Sequence, residues 1–170
     1  APVTTFAHNP VWWLAFFALL PMWGSFHFYW VHRALHLPAL YKHAHALHHR
    51  NVNVGPWSGL SMHPVEHVIF LGSVLIHFLV AAHPVHILFH LQYYALTAAT
   101  THTGFEGLTV KDENRLALGT FHHQMHHRYF ECNYGSLEIP WDKFFGSFHD
   151  GTDEANEMVK ERRRTMMGGG

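Results

Sequence analysis

Charge is what this chain has least of. Asp, Glu, Lys and Arg make up 14% of its 170 residues, against about 25% in an ordinary soluble domain. A surface so poor in charge fits a membrane-embedded protein better than a water-soluble one, and a net charge of −1 creates no field that would draw nucleic acid. Cysteine is nearly absent. The single Cys132 excludes a disulfide framework and a Cys-rich zinc module, and reads as a small buried residue. Carboxylates are scarce as well: only Glu66, Glu106, Asp112, Glu113, Glu131, Glu138 and Asp142 precede His149, and none stands three residues before a histidine. That excludes the ferritin-like bundle, which holds its irons largely with glutamates. There is no Ser-His-Asp elbow, no glycine-rich phosphate loop and no His-Glu-x-x-His zinc helix. The chain opens on Ala1 with no basic-then-apolar leader, which suggests an N-terminally truncated protein.

Histidine is what the chain has instead, at 20 of 170 residues. The spacing His-x-x-His-His occurs twice, at His45, His48 and His49 and again at His123, His126 and His127. At this histidine frequency one copy arises by chance roughly 0.3 times, so two copies point to selection for the pattern. On a helix, positions i, i+3 and i+4 share a face. Each triplet is therefore expected to aim three imidazoles at one point, as half of a metal site. Neutral imidazole suits iron, copper, zinc and nickel, so the spacing alone names no metal. Beyond these triplets there is no internal repeat.

Residues 10 to 36 read as a long helix, with Pro10 near its start, Pro21 as a kink point, and enough apolar length from Val11 to Val31 to cross a bilayer. Trp12, Trp13, Trp23 and Trp30 suit the interfacial zones. Residues 37 to 62 are polar, histidine-rich and broken by Pro38, Gly55 and Pro56, so they belong outside the hydrocarbon. His63-Pro64-Val65-Glu66-His67 looks like a helix start. The apolar run after it, a turn at Ala82-His83-Pro84 and a returning segment to His102 form a hairpin of short helices, which ends on the side where it began. Thr103 to Gly119 reads as a loop. The second triplet then lies on a helix that Asn133 and Gly135 should end. Residues 1–150 form the membrane-embedded catalytic domain in this reading, and 151–170 a charged tail, helical or disordered.

The candidate ligands are His32 and His36, the first triplet, His63 and His67, His102 and the second triplet. All stand at the ends of apolar segments or in the polar stretches between them. About ten imidazoles are too many for one ion and suit two. His77, His86 and His90 sit inside the hairpin helices, and His86 lies some 24 Å along a helix from His102 at 1.5 Å per residue, so structural roles are expected for them. Structural or exposed roles are expected too for His8, His27, His43, His83, His122 and His149.

The series HRALH (32–36), YKHAHALHH (41–49), SMHPVEH (61–67), THTG (101–104) and HHQMHHRYFECNYG (122–135), closed by WDKFFGS (141–147), resembles the sterol desaturase and fatty acid hydroxylase superfamily. The ending after the last triplet looks like its sterol-oxidising branch. The resemblance covers roughly residues 25 to 149. It implies an all-α integral-membrane bundle, of the bacterial inner membrane or the endoplasmic reticulum, with a histidine-rich di-metal site at the cytosolic face. By position it implies metal ligands at His32, His36, His45, His48, His49, His63, His102, His123, His126 and His127. It further implies two non-haem iron ions, O2 as co-substrate and a sterol or fatty-acyl lipid as substrate. Electrons would come from an external donor such as a cytochrome b5-like or ferredoxin protein with its reductase. Ser147 stands where the family often has threonine, and an N-terminal helical pair usual in the family is missing. Glu66, Glu106 and Asp142 are candidates to orient ligand imidazoles through their second N–H. The competing reading is a non-catalytic membrane protein that binds or transports a divalent metal such as zinc, for which His77, His86 and His90 would line part of a path.

Overall fold

The computed structural model of the chain describes residues 3–110 and 113–168. Helix α1 (Pro10–Leu35) begins where the Asn9 side chain accepts from the Trp12 N–H at 3.0 Å and Pro10 occupies the first turn, where no N–H is needed. It continues through Pro21 for 26 residues. Among the described residues it is the one helix long and apolar enough to cross a membrane.

The polar stretch that follows is a series of tight turns, as its prolines and glycines suggest. A short α2 (Pro38–Leu40) leads into a π-helical turn (Tyr41–His45), a 3-10 turn (His48–Arg50) and a second 3-10 turn (Pro56–Leu60). The hairpin comes next. Helix α3 (Pro64–Leu71) tightens into 3-10 geometry over Gly72–Phe78, and helix α4 (Pro84–Thr100) returns. His63 and His83 start these arms in the same way, each Nδ1 accepting the N–H two residues on at 3.2 Å. At 1.5 and 2.0 Å per residue the two arms measure about 26 Å and about 25 Å, slightly less than the ~30 Å hydrocarbon core of a bilayer.

Side-chain bonds from α1 fix how the hairpin lies. Trp12 Nε1 donates to Ala81 O at 2.8 Å near the hairpin tip, and Trp23 Nε1 donates to Ser73 O at 2.9 Å farther down. Tyr94 donates to Gly24 O at 2.8 Å, a close approach that needs glycine, because a Cβ on Gly24 would stand 2.6 Å from the tyrosine ring. The hairpin tip thus lies beside the start of α1, and its open end lies beside the end of α1, where the histidines are. Phe16, Leu20 and Ala82 form one buried cluster, and Phe70, Tyr94 and Ala98 a second one nearer the histidines.

Two expectations change, and the tail takes the helical one of its two alternatives. The segment from Thr103 to Gly119 is not simply a loop but holds an antiparallel strand pair, β1 (Gly107–Val110) with β2 (Glu113–Ala117); Lys111 and Asp112 lie outside the described residues. Helix α5 (Thr120–Tyr129) stops before Asn133, because Phe130 already takes φ 70°. After α6 (Trp141–Phe144), the charged tail is helix α7 (Asp153–Gly168) with Ala155 and Val159 buried. Arg162 donates to Glu131 O at 2.7 Å and to Gly146 O at 2.5 Å, and Arg163 to Tyr129 O at 2.7 Å. These arginines satisfy carbonyls of the loop that closes the histidine centre.

Candidate metal centre

Nine of the ten sequence-expected ligands meet at the open end of the hairpin, in two groups. One contains His32, His36, His45, His49 and His126, the other His48, His102, His123 and His127, and within each group the ligand nitrogens lie within 4.8 Å of one another. His63 is in neither group. Its Nδ1 caps α3, and His67, one turn later, is in neither group as well.

The triplets do not behave as three-pronged units. His45 and His49 enter the first group and His48 the second; His126 enters the first, His123 and His127 the second. On the α-helices the reason is angular: at about 100° per residue, positions i and i+4 differ by only about 40°, whereas i+3 falls about 60° to the other side, so His32 stays with His36 and His123 with His127 while His126 crosses over. The first triplet divides in the same way on the π-helical and 3-10 turns of residues 41–50. The groups adjoin, with His49 and His127 ring centroids 4.7 Å apart.

Their chemistry follows from where the other ring nitrogens go. His32 Nδ1 is 2.7 Å from Tyr134 O, His126 Nδ1 2.6 Å from Cys132 O, and His45 Nδ1 2.6 Å from Glu66 Oε1. In the second group His102 Nδ1 is 2.7 Å from Ala98 O. The three carbonyl oxygens can only accept, so Nδ1 of His32, His126 and His102 carries the proton and Nε2 is left with a bare lone pair; an ionised Glu66 fixes His45 in the same way. The Nε2 atoms converge: His32 and His45 are 3.1 Å apart, His45 and His49 3.0 Å, His49 and His126 3.0 Å, and His102 and His127 3.3 Å. Where both partners are bare, as His32 and His45 are beside an ionised Glu66, a cation between them is what brings them together, while His49 and His127, whose Nδ1 atoms are buried without a partner, take either tautomer. Nitrogens sharing one ion at about 2.1 Å stand roughly 3 to 4 Å apart.

The imidazoles are neutral at physiological pH, as ligation requires. Burial pushes His45 and His48 down to about 3 and His102 to about 4. Burial, reinforced by the neighbouring imidazoles, brings His127 to about 2 and holds His36, His49, His123 and His126 well below the usual range.

A pocket opens onto both groups. His32 and His45 reach it from the first, His48, His102 and His123 from the second, and Phe28, Val31, Met62 and Phe70 give it apolar walls.

A family profile described as fatty acid hydroxylase matches residues 16–147. The chain belongs to that family. Among its relatives, a Delta(7)-sterol 5(6)-desaturase of Gibberella zeae is 30% identical over 88% of this chain and 49% of its own length. A lathosterol oxidase of Rattus norvegicus is 36% identical over 71% of this chain and 40% of its own, and a Delta(7)-sterol 5(6)-desaturase of Aspergillus fumigatus 30% identical over 83% and 41%. The chain thus spans less than half the length of these curated relatives. No solved structure matches it. These matches place the chain in the sterol desaturase branch of the superfamily.

Within this fatty acid hydroxylase domain, the ending Asn133-Tyr134-Gly135 with Asp142 and Ser147 has a physical meaning. Asp142 accepts from the Tyr134 and Gly135 N–H groups, each at 2.8 Å, and from Ser147 Oγ at 2.6 Å. Burial by itself would raise its carboxyl, but hydrogen bonds from His122, Ser147 and Gly135 hold it below the usual carboxylate range. Gly135 must be glycine because a Cβ would stand 2.9 Å from Asp142 Oδ2. Asn133 takes φ 51°, which Asn tolerates, and bonds the His122 and His149 carbonyls at 3.1 and 3.0 Å. The whole assembly presents the Tyr134 carbonyl to His32. Asp142 therefore orients an imidazole only through this loop, and Glu106 instead accepts from the Phe121 N–H at the start of α5. Glu66 alone of the three carboxylates touches a ligand.

The orienting carbonyls of Ala98, Cys132 and Tyr134 carry no sequence signal, since every residue has one. Gly59 was equally hidden. A Cβ there would lie 2.6 Å from Ala98 C and 2.9 Å from His102 Nδ1, so glycine is what lets the Pro56–Leu60 turn pack on the carbonyl that aims His102. The hairpin histidines are tied off separately: His77 Nε2 to His90 Nδ1 at 3.1 Å, His90 Nε2 to Ser73 Oγ at 3.2 Å, and His86 Nε2 to Trp13 O at 2.9 Å.

Proposed function

We propose that the two groups hold two non-haem iron ions and that the chain carries out O2-dependent oxidation, by hydroxylation or desaturation, of an unactivated C–H bond in a lipid. The observation that carries this reading is the convergence of nine buried or half-buried imidazoles in two adjoining clusters, five of which reach the wall of one cavity. His32, His36, His45, His49 and His126 would hold one ion, and His48, His102, His123 and His127 the other. His63, included by resemblance, would serve instead as the cap of α3. Bound iron supplies the activation of O2 and the abstraction of hydrogen. The protein's part is to hold the imidazoles neutral and aimed, through Glu66 and the Ala98, Cys132 and Tyr134 carbonyls, and to keep a lipid dry beside them. A sterol is the favoured lipid, in view of what the relatives are named for. Membrane embedding through α1 and the hairpin, a histidine centre on the cytosolic face of the inner membrane or endoplasmic reticulum, and an external cytochrome b5-like or ferredoxin donor complete the proposal. Transport of a divalent metal is the weaker reading, since His77, His86 and His90 bond one another, Ser73 and backbone.

Metal analysis and Mössbauer spectroscopy on protein expressed with iron and purified in detergent test the proposal. Two irons per chain are expected, with lipid product formed on adding O2, reductant and donor. A well-folded preparation that takes up one zinc and no iron sinks it.

A further inference from the structure

Two carboxylates line the cavity that reaches the histidine groups. Glu66 is buried and bonded to a ligand. Glu138 is exposed at the rim, touches no imidazole of either group, and the mechanism leaves it unused. It is not free to swing, however. The Tyr93 hydroxyl donates to Glu138 Oε1 at 2.5 Å, across 45 residues of sequence. Tyr93 is itself held, because its ring packs on the Phe70–Tyr94–Ala98 cluster and against Phe89, with centroids 5.9 Å apart. Thr97, one turn farther along α4, adds a hydroxyl to the same wall. An otherwise apolar cavity therefore has a fixed, polar, negatively charged corner at its entrance, on the side of α4.

We propose that the Tyr93–Glu138 pair is the headgroup site of this cavity, taking the hydroxyl of a neutral lipid alcohol and turning away free fatty acids. One carboxylate oxygen is engaged by Tyr93, and the other is available to accept the lipid O–H. Such charge-assisted bonds are the stronger kind. A lipid carboxylate brought to the same corner meets a like charge and has no proton to offer the carboxylate. The inference rests on the reading of the cavity as a lipid site. It makes Tyr93 and Glu138 specificity-determining rather than catalytic, since neither touches the metal groups.

The experiment uses the full chain in detergent, with and without iron, and three probes: the fluorescent sterol dehydroergosterol, its 3-methyl ether, and the fluorescent fatty acid cis-parinaric acid. Binding is read by energy transfer from tryptophan. The protein is expected to bind the alcohol about tenfold tighter than the ether, the effect of one hydrogen bond to a charged group. Glu138→Ala and Tyr93→Phe should bring that ratio to about one while ether affinity and iron content stay unchanged, which also shows that the variants fold. Glu138→Gln should raise the affinity for cis-parinaric acid. Equal binding of alcohol and ether by the unaltered protein, or a ratio that survives Glu138→Ala, overturns the proposal. Discrimination by hydroxyl without any lipid oxidation by the iron-loaded protein would remove the oxygenase reading and leave the headgroup site standing. Oxidation indifferent to the hydroxyl would do the reverse.

Discussion

At the scale of single residues, the centre depends on the oxygens that hold Nδ1 of His32, His45, His102 and His126. Glu66 is the one side chain that supplies such an oxygen, and its removal has a bounded consequence. Glu66→Gln keeps the shape but weakens the bond to His45, so metal affinity in the first group should fall about 10- to 100-fold while the second group keeps its ion. Chelator competition followed by metal analysis reads this directly; unchanged affinity in both groups would show that Glu66 does not orient His45. A second residue-level expectation separates the sequence reading from the structure. His63→Ala should leave two metals per chain, because His63 caps α3, whereas His102→Ala should lose the ion of the second group. If His63→Ala also loses an ion, His63 belongs to the ligand set after all. The residue types were legible in the sequence here. What each does was not, since the oxygens that fix the tautomers come mostly from backbone carbonyls, which any residue supplies.

At the scale of elements, the local backbone decides which histidine enters which group. The i, i+4 pairs were visible as spacings. That the i+3 member crosses to the other group became clear only when α5, where a rotation of about 60° separates two sites instead of blurring one, and the turns of residues 41–50 were seen packed against the same centre. Packing of the Pro56–Leu60 turn on α4 is likewise an element-level property. Gly59→Ala should push the turn off Ala98 and misaim His102, so the second ion should be lost more readily than the first, with a stability loss of about 1 to 3 kcal/mol from overpacking. Metal stoichiometry during dialysis checks it, and equal retention of both ions would show that the turn can shift freely. The hairpin of α3 and α4 was legible because apolar length and proline-marked starts are local signals. The β1–β2 strand pair was not, since its nine residues follow only a weak alternation and its pairing is a tertiary fact.

At the scale of the whole molecule, the centre couples folding to pH. Histidines His45, His48 and His102 are held near 3, 3 and 4 by burial, while in an unfolded chain each titrates near 6.5. Between those values the unfolded chain binds protons that the folded one does not, so stability must rise with pH through that window. It is fully present above about pH 6.5 and is lost as the pH falls toward about 4. Bound metal steepens the dependence, because a proton and the ion compete for the same Nε2 lone pair. Acidifying the metal-loaded protein from about pH 7 to about pH 4 should release both ions and lower the melting temperature together, and restoring neutral pH with iron present should restore both. Metal content after desalting and circular dichroism melts at each pH measure the two quantities. Ions retained after the acid melt, when these imidazoles are exposed and bind protons, would mean that they are not the ligands, and the assignment of both groups would fall with them.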